Sequence, residues 1–306
     1  MHIYRGVHVK EQCCTMAYIW TILSSVLSGL TTICSKTYMT HTKHIKTNVD
    51  LYLLFIYPLM TLYYFLLAGG KVSLNWPTFW FALAFAIANL LSTRLNMVVY
   101  NHATIVYITV FSGASMILPF FYEQLFTNSV FSMWQYIAVG LRILAVCIPL
   151  FSMNSEESIT KKGFVLCVFL FLTKGTAEII TRMFASHPNV MSDGSYFFWI
   201  NVFILPSAMI SIFRKATPGQ LYADFRKIKF YNFLLMLLAA VISNAFNFIS
   251  IELIRQVTAT VYHILSGSVQ ILVMAFLSTV IYGEKMSPKA AMSLSLSLCA
   301  VILSLL

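Results

Sequence analysis

Charge is scarce in this chain. Only 10 % of its 306 residues are charged, and ten of them are Asp or Glu. Soluble domains carry about 25 % charge, so a soluble reading is excluded. Long polar connections are also missing. The longest, 214–230 (RKATPGQLYADFRKIKF), leaves no room for a soluble domain between the apolar stretches. No HExxH, GxSxG or nucleotide-loop pattern occurs, so the chain does not read as an enzyme. The six cysteines lack metal-ligand spacing, and neither metal nor cofactor is expected. Cys13 and Cys14 precede the first apolar run as a juxtamembrane pair. The apolar runs do not alternate with polar residues, which excludes a β-barrel.

Apolar sequence fills the space. Hydrophobic residues make up 59 % and aromatics 15 %, and mean hydropathy is +0.81. A spanning helix needs about 20 mostly apolar residues. Ten segments qualify, near 17–39, 50–69, 76–97, 102–122, 132–152, 163–184, 195–213, 231–252, 258–282 and 289–306. Tight breaks at Tyr100-Asn101-His102 and Ile254-Arg255-Gln256 imply antiparallel neighbours. The first run reads as a retained helix rather than a cleaved signal. The net charge of +10 belongs to loops beside a bilayer and does not call for nucleic acid. Odd-numbered loops hold eleven Lys and Arg against four on the opposite side. Loop charge alone therefore places the odd loops in the cytoplasm and both termini outside.

Weak internal matches recur in order. Gly29 to Lys36 and Gly175 to Arg182 are each seven residues apart. Asn89 and Ser92 match Asn244 and Asn247, and Ser112-Gly113 matches Ser266-Gly267. Five helices per copy would invert the second copy. The expected fold is an all-α membrane protein, multi-pass and integral, with ten transmembrane helices as two inverted five-helix repeats. A polar tail (1–16) precedes a first repeat (17–152) and a second (163–306).

SGLTTICSK, ATIVYITVFSGASMILPF and IYGEKMSPKAAMSLSLSLCAVILSLL resemble the first, fourth and last helices of the drug/metabolite transporter superfamily, EamA-like branch. Gly283-Glu284 carries the clearest match. In the first half, Tyr122-Glu123-Gln124 stands where the family usually has Gly-Glu. The resemblance implies a central cavity, alternating access and cytoplasmic termini. On orientation it conflicts with loop charge, and the family arrangement is the working expectation, because folding constraints can override loop charge.

Polar groups inside a bilayer are costly and need partners or a cavity. Lys174, Glu178 and Arg182 lie four residues apart on one helical face. Arg182 and Lys36 fall near helix ends and read as snorkelling anchors. Lys174 lies about 16 Å into its helix, near mid-bilayer. It and Glu178 form either an ion-pair stripe or part of a solute site. Glu178 is expected to pair best with Arg182. Asn89 on one side and Asn244 and Asn247 on the other either bond helices together or line a cavity. Tyr107, Tyr262 and His263 are further candidates, His263 as packing residue or proton shuttle. Arg142 is deep without an evident sequence neighbour.

The expected function is secondary transport of a small organic solute, anionic or zwitterionic because deep cations outnumber deep acids. The expected partners are that small-molecule substrate and membrane lipid, with protons as the candidate coupling ion. Oligomeric state is not readable from the sequence. The competing expectation is a lipid-linked substrate translocase or a non-transporting membrane scaffold.

Overall fold

A computed structural model describes residues 3–45, 47–126, 131–148, 160–242, 269–270, 272–277, 279–281, 283 and 288–304. Among them there are helices and no strand. The helices are α1 (Ile3–His41), α2 (Asn48–Leu67), α3 (Trp76–Val99), α4 (Ile105–Ala114), α5 (Ile117–Phe126), α6 (Met133–Cys147), α7 (Lys161–Ser186), α8 (Asp193–Lys215) and α9 (Pro218–Lys227). The chain continues in α10 (Phe230–Ile242), α11 (Leu272–Ile281) and α12 (Pro288–Ser304).

Four of these, α2, α3, α7 and α8, are long and apolar enough to cross a membrane. The apolar helices α6, α10, α11 and α12 are shorter. Large apolar side chains such as Leu66, Ile87 and Ile210 face outward in numbers that suit an apolar surrounding.

Local chemistry sets the boundaries. The Asn75 side chain caps α3 by accepting from Thr78 N at 3.0 Å. Thr160 caps α7 in the same way, through Gly163 N at 3.0 Å. Ser132 with Gln135 and Thr217 with Gln220 form reciprocal capping boxes on α6 and α9.

Two elements depart from the sequence expectation. Helix α1 runs back to Ile3, so much of the expected polar tail is helical. The segment expected as one helix over 102–122 is two, α4 and α5. Pro119 has no N–H to give the Ser115 carbonyl, which accepts instead from Leu118 N at 3.1 Å. Ser115 tightens the corner by donating its hydroxyl to Ser112 O at 2.7 Å.

Packing is pairwise. Helix α2 lies along α8, α6 along α12, and α3 between α7 and α8, while α4 and α5 rest on α7. Buried aromatics knit the centre, with Tyr196 stacked on Phe184 at 3.7 Å between ring centroids. Close approach demands Gly175. A Cβ there would lie 2.8 Å from the Ser115 carbonyl oxygen and against Leu118, so α7 seats directly on the α4–α5 corner.

Candidate functional site: a polar cavity beside a broken helix

A cavity of about 220 Å3 lies among α1, α2, α3, α7, α8, α10 and the residues before α11. Its polar lining follows helical spacing. Ser28, Thr31, Thr32 and Ser35 share one face of α1, and Asn89, Ser92, Thr93 and Asn96 share one face of α3. Asn201 on α8 and Gln270 add amides. Ile56, Met60, Phe85, Met97, Phe197 and Ile200 supply apolar wall. A few placed polar groups on an apolar frame suit a small-molecule site.

The hydroxyls facing this space are largely tied down. Thr31 and Thr32 donate to the Leu27 and Ser28 carbonyls, both at 3.1 Å. Ser35 Oγ lies 2.8 Å from the Tyr52 hydroxyl, and the Tyr57 hydroxyl bonds Thr93. The Asn201 amide donates to Phe197 O at 2.7 Å. Rigid side chains of this kind hold a fixed pattern of donors and acceptors.

Among the described lining residues, Lys174 is the single charged group. Its ammonium donates to the Ser112 hydroxyl. Glu178, one turn along α7, adds a favourable Coulomb contact. Ser112 sits at the end of α4, next to the corner. The adjacent Gly113 carbonyl accepts from Arg142 Nη1 at 2.8 Å. Arg142, which lacked a partner in the sequence, thus satisfies a carbonyl freed by the helix break. Arg182 reaches across to α5, with Nε 2.8 Å from Glu123 Oε1. That contact is an ion pair without hydrogen-bond alignment.

The charged stripe of α7 reaches beyond its own helix. Arg182 pairs with Glu123 on α5. Lys174 faces the cavity, whereas Glu178 is not part of its lining. Asn89 joins Lys174 on the wall. Tyr107 is fully buried in the aromatic core and does not line the cavity. Asn244, Asn247, Tyr262 and His263 lie outside the described residues.

A second constellation flanks this space and was not read from the sequence. Asp50, buried in the first turn of α2, accepts from Lys215 Nζ at 2.6 Å, Ser211 Oγ at 2.8 Å and Arg94 Nη2 at 3.3 Å. One carboxylate thus joins α2, α3 and the end of α8. Its signal in the sequence was a rare acid at the start of a span. Asn201 was also missed, since an isolated Asn carries no periodic signature.

The remaining contacts of this end involve α9. Leu221 and Ile228 pack on Ile45, Leu51 and Ile212, and Phe225 stacks on Phe55 at 5.2 Å. Thr47 donates its hydroxyl to Asp224 at 2.8 Å, and Lys227 lies 3.1 Å from the same carboxylate. Partial burial opposes the Asp224 charge, but the Thr47 and Lys227 hydrogen bonds, with Lys227 and His44 charge, hold its carboxyl below the ordinary value of 3.8.

No family model matches the sequence, and no curated protein matches it. Solved structures do. One, described as "Crystal structure of protein", superposes with a TM-score of 0.60 at 12 % identity, over 95 % of this chain and 98 % of that one. The likeness is one of fold along the whole length.

Proposed function

We propose that the protein is a multi-pass integral membrane transporter of the drug/metabolite type, EamA-like. It would move a small anionic or zwitterionic metabolite by alternating access. The observation that carries this reading is the polar cavity, which draws walls from both halves of the chain and holds Lys174 as its charged group among the described residues. An ammonium has three donors, and the one described bond, to Ser112, leaves donors for a solute anion. The surrounding amides and hydroxyls would orient the body of the solute.

The helix pairing supports ten spans in two inverted five-helix repeats. If α4 and α5 together form one span, α2 and α8 are the second and seventh spans, and α6 and α12 the fifth and tenth. A two-fold relation between halves of five spans brings those equivalent helices together, as they are here. The broken fourth span, lined up with Lys174, fits the use of discontinuous helices at solute sites. The Asp50 cluster then serves as a latch between halves, closing one route to the cavity.

The experiment is uptake into proteoliposomes with a panel of small carboxylates, phosphates and amino acids, with and without a pH gradient. We expect saturable uptake of an anionic or zwitterionic solute, lost by at least tenfold in Lys174→Ala. A gradient-dependent rate would assign protons as the coupling ion. If no solute is taken up, or Lys174→Ala changes nothing, the proposal fails.

A further inference from the structure

Helix α9 divides its residues between two faces. Leu221 packs on the bundle, Phe225 stacks on Phe55 while staying partly exposed, and Ile228 packs on the bundle just past the helix end. Tyr222 and Arg226, one turn apart, lie on another face and are exposed, and the exposed Lys229 follows just beyond the end of the helix. The Arg226 guanidinium lies over the Tyr222 ring, 5.9 Å from its centroid. Arg214, exposed in the last turn of α8, is a further cation just before this segment in the chain. The acid of α9, Asp224, is engaged by Thr47 and Lys227. Among the described residues, no carboxylate pairs with Arg214, Arg226 or Lys229.

Exposed aromatics lie in the same stretch. Phe213 precedes α9, and Phe230 and Tyr231 follow it, each more than half exposed. Apolar rings beside unpaired cations on a docked amphipathic helix match the boundary between acyl chains and headgroups. The helix is fixed from within, through Thr47 and Phe55, so its outer face is presented rather than spent on the fold.

We propose that Tyr222 and Arg226 of α9, with the flanking Lys229 and Arg214, bind the phosphate of an anionic lipid headgroup. Arg supplies a planar fork to phosphate oxygens, Lys229 a point charge, and Tyr222 a ring at the interface. The inference rests on α8 lying in a bilayer and not on solute transport.

The test uses the full-length protein in neutral detergent, with bound lipid counted by native mass spectrometry. Phosphatidylglycerol and phosphatidylcholine are compared at equal mole fraction. Wild type should retain phosphatidylglycerol at least tenfold better. Arg226→Gln with Lys229→Gln should abolish most of that preference, since each interfacial cation contributes roughly fivefold and two contribute about twenty-five-fold. Arg226→Lys with Lys229→Arg should keep most of it, which separates lost charge from lost fold. Lys161→Gln with Lys162→Gln removes equal charge from the first turn of α7 and should leave the preference intact. Equal retention of the two lipids overturns the proposal. So does an equal loss in the Lys161/Lys162 variant, which would indicate net charge alone. Displacement of the lipid by millimolar inorganic phosphate would instead mark a free-anion site and also overturn it.

Discussion

The Lys215 ammonium lies 2.6 Å from the Asp50 carboxylate, joining the last turn of α8 to the first turn of α2. Asp50 is buried while Lys215 is about half exposed and Arg94 about a third. Breaking a fully buried pair costs about 3–5 kcal/mol. Solvent screening at the two cations reduces this, so Asp50→Asn should lose about 2 kcal/mol. Lys215→Met should lose less than about 1 kcal/mol, because Arg94 and Ser211 still hold the carboxylate. Thermal unfolding in detergent measures both. If the two variants unfold alike, Asp50 is not the hub of the cluster.

Gly175 and Gly140 give opposite expectations for the same substitution. At Gly175 a new methyl meets the Ser115 carbonyl at 2.8 Å, a backbone atom that cannot move aside cheaply. Gly175→Ala should therefore destabilise by about 1–3 kcal/mol. It should also lower uptake, by pushing Lys174 away from its place on the cavity wall. At Gly140 a Cβ meets nothing within 4 Å. Gly140→Ala should be neutral or stabilising by up to about 1 kcal/mol through helix propensity. Paired melting curves decide the matter.

Arg142 donates to the carbonyl that the break in the fourth apolar segment sets free. Arg142→Ala should leave the Gly113 oxygen buried and unpaired, a cost of about 1–3 kcal/mol. Arg142→Lys should recover part of this. Hydrogen exchange of amides 112–118 gives a local readout. Faster exchange confined to the corner is expected, and unchanged exchange there would refute the role.

Asp224 supplies a pH dependence outside the apolar helices. Its folded pKa lies below the ordinary 3.8. Its contribution to docking α9 is thus fully present above that ordinary value, and it fades as pH falls through the lower folded pKa. Limited acid proteolysis across 218–229 should accelerate in wild type below pH 3.8. Asp224→Asn should cut at a rate that no longer varies over that window.

Much of the architecture was legible because apolar length and helix signals are local. The second, third, sixth and seventh apolar segments correspond to α2, α3, α7 and α8 within a few residues. The corner in the fourth segment was only partly legible. Pro119 marked a weak point, but where the chain bends depends on the partners waiting for its freed carbonyls, Leu118 N and Arg142. Asn89 and Lys174, singled out from charge and polar spacing, lie on the cavity wall. Tyr107 packs in the core instead, since a tyrosine on a polar helical face looks the same whether it borders a cavity or a packed core.

By itself the sequence determined that this chain is helical and suited to an apolar surrounding, because hydropathy and helix capping are properties of neighbouring residues. Only the tertiary structure decided which charges meet. Glu123 and Arg182 are 59 positions apart, Asp50 and Lys215 165, and no local rule links them. Coulomb attraction and burial act through space, so the partners of Lys174, Arg142 and Asp50 exist only once the helices have packed.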